Sequence, residues 1–107
     1  MKLIIAVINP DDANDVVRSL SKHGFSSTRL STTGGFLMAG NATVLIGVDE
    51  EKVQQVIDLI HKHSHSRKQL IPTTAEVVGG YLPNAPVEVN VGGATIFVVD
   101  VERFEQL

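Results

Sequence analysis

Residues 28–41 contain the residue types in this chain that are best suited to binding a ligand. Their sequence, TRLSTTGGFLMAGN, places two adjacent glycines after three hydroxyl side chains and before a phenylalanine. Adjacent glycines free the backbone to expose N–H groups, and an aromatic ring offers a face for stacking. We interpret the segment as a cradle for an anion or for the edge of a base. The simpler alternative is a glycine turn whose Phe36 packs beneath a sheet, since the lysine of a phosphate-binding P-loop is absent.

Three alternating histidines, His61, His63 and His65, raise the question of a metal site. They follow a helical pattern, and on a helix the neighbours on one face are three or four residues apart. Side chains two apart therefore diverge. Cationic residues at the end of a helix also have a plain role in offsetting its dipole. We therefore predict no metal site and no cofactor.

Length and composition indicate a single domain that spans residues 1–107. The chain is 43% hydrophobic, has a net charge of -3 and contains no cysteine. The missing cysteine excludes a thiolate zinc site, a disulfide scaffold and a cysteine nucleophile. The negative charge argues against a general nucleic-acid binder. The longest apolar run, residues 3–8, is far shorter than a membrane helix requires. We expect a cytoplasmic protein without membrane insertion.

The chain repeats itself once, which predicts the order of its elements. A shift of 40 residues aligns the apolar run 3–8 with 43–48, and the apolar positions of 13–20 with those of 53–60. Each copy is a β-branched run followed by a helical pattern. Asn9 and Asp49 are suited to cap the two helices, and Gly24 is suited to end the first. With strands expected at 25–31 and 67–71, the order is βαββαβ, an α+β ferredoxin-like sandwich.

The C-terminal third predicts one more feature and one long connection. Residues 87–91 alternate strictly, Gly92-Gly93 is a turn signal, and residues 94–99 are apolar, so we predict an added hairpin. Residues 72–86 show no periodicity, and a long loop of this kind is usually functional or mobile. Tyr81 within it is a candidate contact for a protein partner.

The predicted sheet has an apolar face that the helices do not cover. Right-handed crossovers place both helices on one side, yet the first and third strands are apolar on both sides. Burial of apolar area is favourable by about 25 cal/mol per Å². We therefore expect this face to be buried against other copies of the chain.

A catalytic alternative arises because acylphosphatases share this outline and use an arginine and an asparagine. Arg29 and Asn41 are available, but the loop after the first strand is the acidic NPDD, which would repel a phosphate. No histidine has an evident carboxylate partner. We therefore predict a protein without enzymatic activity.

Motifs along nearly the whole chain resemble the PII-like cyclic di-AMP receptor family of bacteria. The matching segments are KLIIA at the start, TTGGFL followed by AGN, Arg67 with Gln69-Leu70, PVEV, VGGAT with Phe97-Val98, and Val101 with Phe104 and Gln106.

The resemblance implies a homotrimeric, non-catalytic sensor that binds cyclic di-AMP in the clefts between subunits. Binding would reorder the loops at residues 31–40 and 72–86, which face an unidentified protein partner. The family's ligand contacts fall on Thr28, Gly35, Phe36, Leu37, Asn41, Gly47, Phe97 and Gln106. The amides of Asn41 and Gln106 suit the edge of an adenine, and Phe36 suits its face.

Three positions depart from the family pattern. Gly24 stands where asparagine is common, Ser26 where arginine is typical, and Met38 where a basic residue is frequent. Losing the arginine removes a charge-assisted donor, and Arg29 points to the opposite side of the strand from Thr28. The alternative function is therefore a PII-like sensor of ATP or ADP.

Overall fold

The computed structural model describes residues 1–31, 41–71 and 87–107. Gly35, Phe36, Leu37, Met38 and Tyr81 lie outside the described residues, as does most of the loop segments 31–40 and 72–86. The elements in chain order are β1 (Lys2–Ile8), α1 (Pro10–Lys22), β2 (Thr28–Ser31), β3 (Ala42–Val48), a 3-10 turn (Glu50–Lys52), α2 (Val53–Ser64), β4 (Arg67–Ile71), β5 (Val87–Val91) and β6 (Ala94–Asp100).

The limits of α1 follow from local signals in the sequence. The side chain of Asn9 accepts a hydrogen bond from the Asp11 backbone N–H at 2.8 Å, and Pro10 occupies the first turn. Beyond the helix, Gly24 adopts a positive φ of 83°, which an L side chain rarely adopts. Both predictions for this helix are confirmed.

The start of α2 differs from the prediction. Asp49 precedes a 3-10 turn over Glu50–Lys52, its side chain makes no capping hydrogen bond, and the α-helix begins at Val53. A 3-10 turn at a helix N-terminus is common. The acidic residues of the turn, Glu50 and Glu51, still lie close to the positive end of the helix dipole. The helix itself has no side-chain cap.

Four antiparallel strands form the main sheet, in the order β2-β3-β1-β6. The two inner strands, β1 and β3, pair over seven residues, with Ile4 opposite Ile46. Together with the two helices, this sheet is consistent with the ferredoxin-like fold that the repeat predicts.

The identity of the fourth strand is a correction to the sequence prediction. Residues 67–71 do not join the main sheet; β4 pairs with β5 in a separate two-stranded sheet, with Arg67 opposite Val91. The edge position beside β1 is taken by β6. The predicted hairpin between β5 and β6 is therefore not confirmed, because Gly92 and Gly93, at φ of 81° and 85°, lead the chain from one sheet to the other.

The reason for this exchange is the composition of the competing strands. β6 (ATIFVVD) is apolar on both faces and pairs with the apolar β1 over seven residues. β5 (VEVNV) carries polar residues on one side. The more apolar strand gains more from pairing with the apolar β1 in the main sheet.

The core lies between the sheet and the two helices. Alternate residues of β1 and β3 point into it, as the period of two requires. The largest fully buried side chains are Ile4, Ile8, Val16, Leu20, Val44, Ile46, Val56 and Ile60. Phe25 packs against this cluster, as the sequence predicts, but it lies three residues before β2, which begins at Thr28 and not at residue 25. Within the described part of the chain, no helix is long and apolar enough to cross a membrane.

Candidate functional site

The sheet face that points away from the helices is apolar and accessible. The buried residues of β1 alternate with Leu3, Ile5 and Val7, so these three lie on the opposite face. Strand pairing places Phe97 beside Ile5 and Val99 beside Leu3. Phe97 is 54% exposed and Val99 42% exposed. A single copy of the chain therefore leaves large apolar side chains uncovered on this face.

One end of this open face forms a groove of about 470 Å³. Its volume is within the range of small-molecule sites. Three of the predicted ligand contacts lie in it: Thr28, Gly47 and Gln106. The remaining lining residues are Met1, Leu3, Ser26, Ser27, Leu45, Val101 and Phe104, and none of the ten side chains is charged. The groove, defined by these ten residues, therefore offers apolar surface, hydroxyls and one amide.

Gly47 is a glycine that the chain by itself does not require. It is exposed in the interior of β3, and its φ is not in the left-handed region. A Cβ added there would meet only the flexible end of the Met1 side chain, at 3.4 Å. A glycine within a strand often marks a place where a ligand or another backbone approaches closely. The glycine at the floor of the groove is therefore best explained by contact with a ligand or with another chain.

The C-terminal tail, residues 101–107, supplies one wall of the groove. Its start is fixed by a hydrogen bond from the Val101 backbone N–H to the Met1 carbonyl at 3.2 Å. The adjacent ion pair between Lys2 and Asp100 joins β1 to β6. The hydrogen bond between them holds the pKa of Asp100 below its usual range and the pKa of Lys2 above it, so both stay ionised at neutral pH.

The opposite wall carries the hydroxyls of Ser26, Ser27 and Thr28. The neighbouring cation is directed elsewhere: Arg29 Nη1 donates to the side-chain oxygen of Asn14 on α1 at 2.6 Å. This confirms that Arg29 and Thr28 point to opposite sides of β2. It also separates Arg29 from a phosphate in the groove, and the acylphosphatase arrangement therefore lacks its arginine here.

Asn41 lies far from the groove within one copy of the chain, whereas Phe97 lies on the same face as the groove. Asn41 is six residues from Gly47 along an extended strand, a span of roughly 20 Å. It lines a polar cleft at the other end of the sheet with Asn9, Ser66, Asn90 and Thr95, among others. Phe97 lies on the open face beside Ile5 and is the diagonal neighbour of Leu3, a lining residue of the groove, at roughly 8 Å. Thr28, on the far wall of the groove, is three strands away in the same register, roughly 14 Å. The described contacts thus fall into two places on one protomer, the open face with its groove and the polar cleft that Asn41 lines.

Phe104 lines the groove, although it is not among the ligand contacts that the resemblance implies. Apolar residues near a chain end usually pack against their domain, and the sequence predicts this for Phe104. That prediction is wrong, because Phe104 is 63% exposed. Its position two residues before Gln106 was the available signal. The docking of the tail against Met1, which places both residues at the groove, depends on contacts 100 residues apart and has no local pattern.

The histidines do not gather into a ligand set. His61 and His63 lie near the end of α2, and His65 follows the helix. Among the residues that the structure describes, no three histidine, aspartate or glutamate side chains come together in a way that could hold a metal ion.

Comparison with known proteins places the whole chain in one family. A family model described as cyclic-di-AMP receptor matches residues 1–107. The chain is also similar to a crystal structure of a functionally unknown protein from Pediococcus pentosaceus, at 40% sequence identity and a TM-score of 0.75. That similarity covers 99% of this chain and 96% of the other.

Proposed function

Because the chain belongs to the cyclic-di-AMP receptor family over its whole length, we propose that it is a non-catalytic signalling protein that binds cyclic di-AMP between the subunits of a homotrimer. The observation that carries this proposal is the groove on the open face of the sheet. It contains three of the expected ligand contacts, Thr28, Gly47 and Gln106, around a floor that a side chain on Gly47 would occupy.

The chemistry of the groove suits the nucleoside part of such a ligand. Leu3 and Leu45 provide apolar surface for a base, and the amide of Gln106 can both donate to and accept from an adenine edge. The hydroxyl of Thr28 is available to a ribose or to a phosphate oxygen. Since none of the lining side chains is charged, recognition by these side chains depends on stacking and hydrogen bonds more than on ion pairing.

The separation of the contacts supports a site that two copies of the chain complete. Asn41 is too far from the groove to reach the same base in one protomer. The exposed apolar side chains of the open face, Phe97 and Val99 among them, favour association through that face. A neighbouring subunit would bring its own Asn41 to the groove.

We propose that ligand binding reorders residues 31–40 and 72–86 and so alters the engagement of a protein partner. The support is their position in the sequence. The first segment directly follows β2, which carries Thr28, and holds Gly35, Phe36 and Leu37. The second joins β4 to β5. A ligand that orders these segments shifts their population only if it binds the two states with different affinity.

A second candidate function is a sensor of ATP or ADP, because Ser26 replaces the arginine contact that is typical for cyclic di-AMP. Ser26 lines the wall beside Thr28, where a cation would pair with a phosphate of the dinucleotide. With Arg29 bonded to Asn14, no cation of β2 replaces it.

Calorimetric titrations with cyclic di-AMP, cyclic di-GMP and ATP test the proposed ligand. We expect saturable heat with cyclic di-AMP and an affinity at least about 10-fold lower for the other two, a difference of about 1.4 kcal/mol. Tighter binding of ATP would replace the proposal by the second candidate. Absence of heat with all three would overturn both.

Multi-angle light scattering tests the homotrimer. We expect a mass three times the 11.5 kDa of one chain at micromolar concentration, because the open face exposes apolar area that association would bury. A monomer at that concentration would contradict the proposal, and a stable dimer would do so as well.

A further inference from the structure

We propose that Phe104 in the C-terminal tail is a stacking surface for a nucleobase bound in the groove. This inference rests on the proposed function and extends it by one residue and one interaction. It concerns the base itself, because the lining of the groove holds no charged side chain that would select a phosphate.

The tail is held in place while its aromatic ring stays free. Asp100 pairs with Lys2, and the Val101 backbone N–H is bonded to Met1. Farther along, Arg103 Nε donates to Glu105 Oε1 at 2.9 Å, a contact within the tail itself. Phe104 lies three residues after the bond to Met1 and is 63% exposed, although it lines the groove. The start of the tail is therefore fixed close to the ring, and the ring has an open face.

The surroundings of Phe104 match the parts of a base. A base needs apolar or aromatic contact on its faces and hydrogen-bonding groups at its edge. Leu3 and Leu45 form the apolar floor, and Gln106, two residues after the ring, carries the amide. Phe104, Leu45 and Gln106 thus combine a stacking surface, a floor and an edge contact in one groove.

Exposure alone does not distinguish Phe104, and Leu107 provides the comparison. Leu107 is fully exposed at the end of the same tail but does not line the groove. It is a matched control, since its replacement removes apolar surface from the tail without removing it from the site. Replacement of Phe104 removes apolar surface from the tail and from the site together.

The absence of tryptophan from this chain makes a direct test possible. In a Phe104→Trp variant, the indole is the sole tryptophan of the protein and lies in the groove. We expect cyclic di-AMP to quench its fluorescence in a saturable manner, with the same Kd that calorimetry gives for that variant. We expect that Kd to remain within about 3-fold of wild type, because a larger ring still stacks.

Phe104→Ala completes the test, with Leu107→Ala as its control. We expect Phe104→Ala to weaken binding of cyclic di-AMP by about 10-fold or more with an unchanged melting temperature. We expect Leu107→Ala to bind like wild type. Wild-type affinity in Phe104→Ala, or binding to Phe104→Trp without a fluorescence change, would overturn this inference and leave the proposed function intact. Failure of the wild-type protein to bind would overturn both.

Discussion

Replacement of Gly47 by valine is expected to abolish measurable binding of cyclic di-AMP while the chain keeps its fold. Valine would fill the floor of the groove between Thr28 and Gln106, where the ligand is proposed to lie. We expect the affinity to fall by at least about 100-fold, or about 2.7 kcal/mol. Calorimetry on the purified variant measures this loss.

The stability of Gly47→Val separates an effect on the site from an effect on the fold. A Cβ at position 47 meets only the end of Met1, which is itself half exposed, and the position is open to solvent. Glycine is also unfavourable within a strand by roughly 0.5–1 kcal/mol. We therefore expect the free energy of unfolding to be equal to or higher than that of wild type. Gly47→Ala, with one carbon instead of three, should show a smaller loss of affinity.

Two results would contradict this account of Gly47. Wild-type affinity in the valine variant would move the ligand out of the groove. A variant that unfolds at a lower denaturant concentration than wild type would mean that the chain does need a glycine there. Light scattering on the same sample shows whether the variant keeps the subunit association of wild type.

Asp12→Asn is expected to produce a large loss of stability although it exchanges only one heavy atom, a carboxylate oxygen for an amide nitrogen. Asp12 lies in the first turn of α1 and is 6% exposed. Its two carboxylate oxygens accept from Arg67, with Nη2 to Oδ1 at 2.9 Å and Nη1 to Oδ2 at 3.4 Å. This hydrogen-bonded contact also raises the pKa of Arg67. An amide at position 12 turns one acceptor into a donor that faces the guanidinium.

The Asp12–Arg67 pair connects the small β4–β5 sheet to the rest of the domain. Arg67 is the first residue of β4, and its Nη1 also donates to the His65 carbonyl at 3.3 Å. The guanidinium lies so close to Gly92 that a Cβ there would be 2.6 Å from Nη1. The beginning of β4 and the turn after β5 therefore meet at this one ion pair.

We expect Asp12→Asn to lower the free energy of unfolding by about 2 kcal/mol, since removal of one partner leaves the other without its charge-assisted hydrogen bonds. Denaturant unfolding measures the change. We also expect the substitution to speed amide hydrogen exchange in β4 and β5 relative to wild type, and to leave exchange in β1 and β3 less affected. The reason is that the lost pair joins only the smaller sheet to α1. Asp11→Asn is the matched control, as it removes the same charge from the same turn at an exposed position. Equal destabilisation by the two changes would show that the helix dipole, and not the pair with Arg67, is responsible.

The family and the element order were both accessible from the sequence. The 40-residue repeat predicted two β-α units, and the four-stranded antiparallel sheet with two helices agrees with it. The motifs from KLIIA to the C-terminus identified the cyclic-di-AMP receptor family, which the match over residues 1–107 confirms. The period of two along β2 predicted that Arg29 turns away from Thr28.

These features share a physical cause: each depends on residues that are near one another along the chain. The capping of α1 by Asn9 involves a bond to a residue two positions away, and Gly24 ends the helix through its own backbone conformation. Alternation along a strand is likewise a property of the local backbone. The sequence by itself therefore determined the elements and the faces on which their side chains lie.

The tertiary structure alone decided how distant segments compete and meet. Which strand lies beside β1 depended on β4, β5 and β6 together, and the more apolar β6 took the place predicted for residues 67–71. The pair of Asp12 with Arg67 spans 55 residues, and the contact of Val101 with Met1 spans the whole chain. The groove with Phe104 on its wall results from that last contact. Which long-range contacts form depends on the relative free energies of alternative pairings between distant segments. Those free energies cannot be read from any one segment of the sequence.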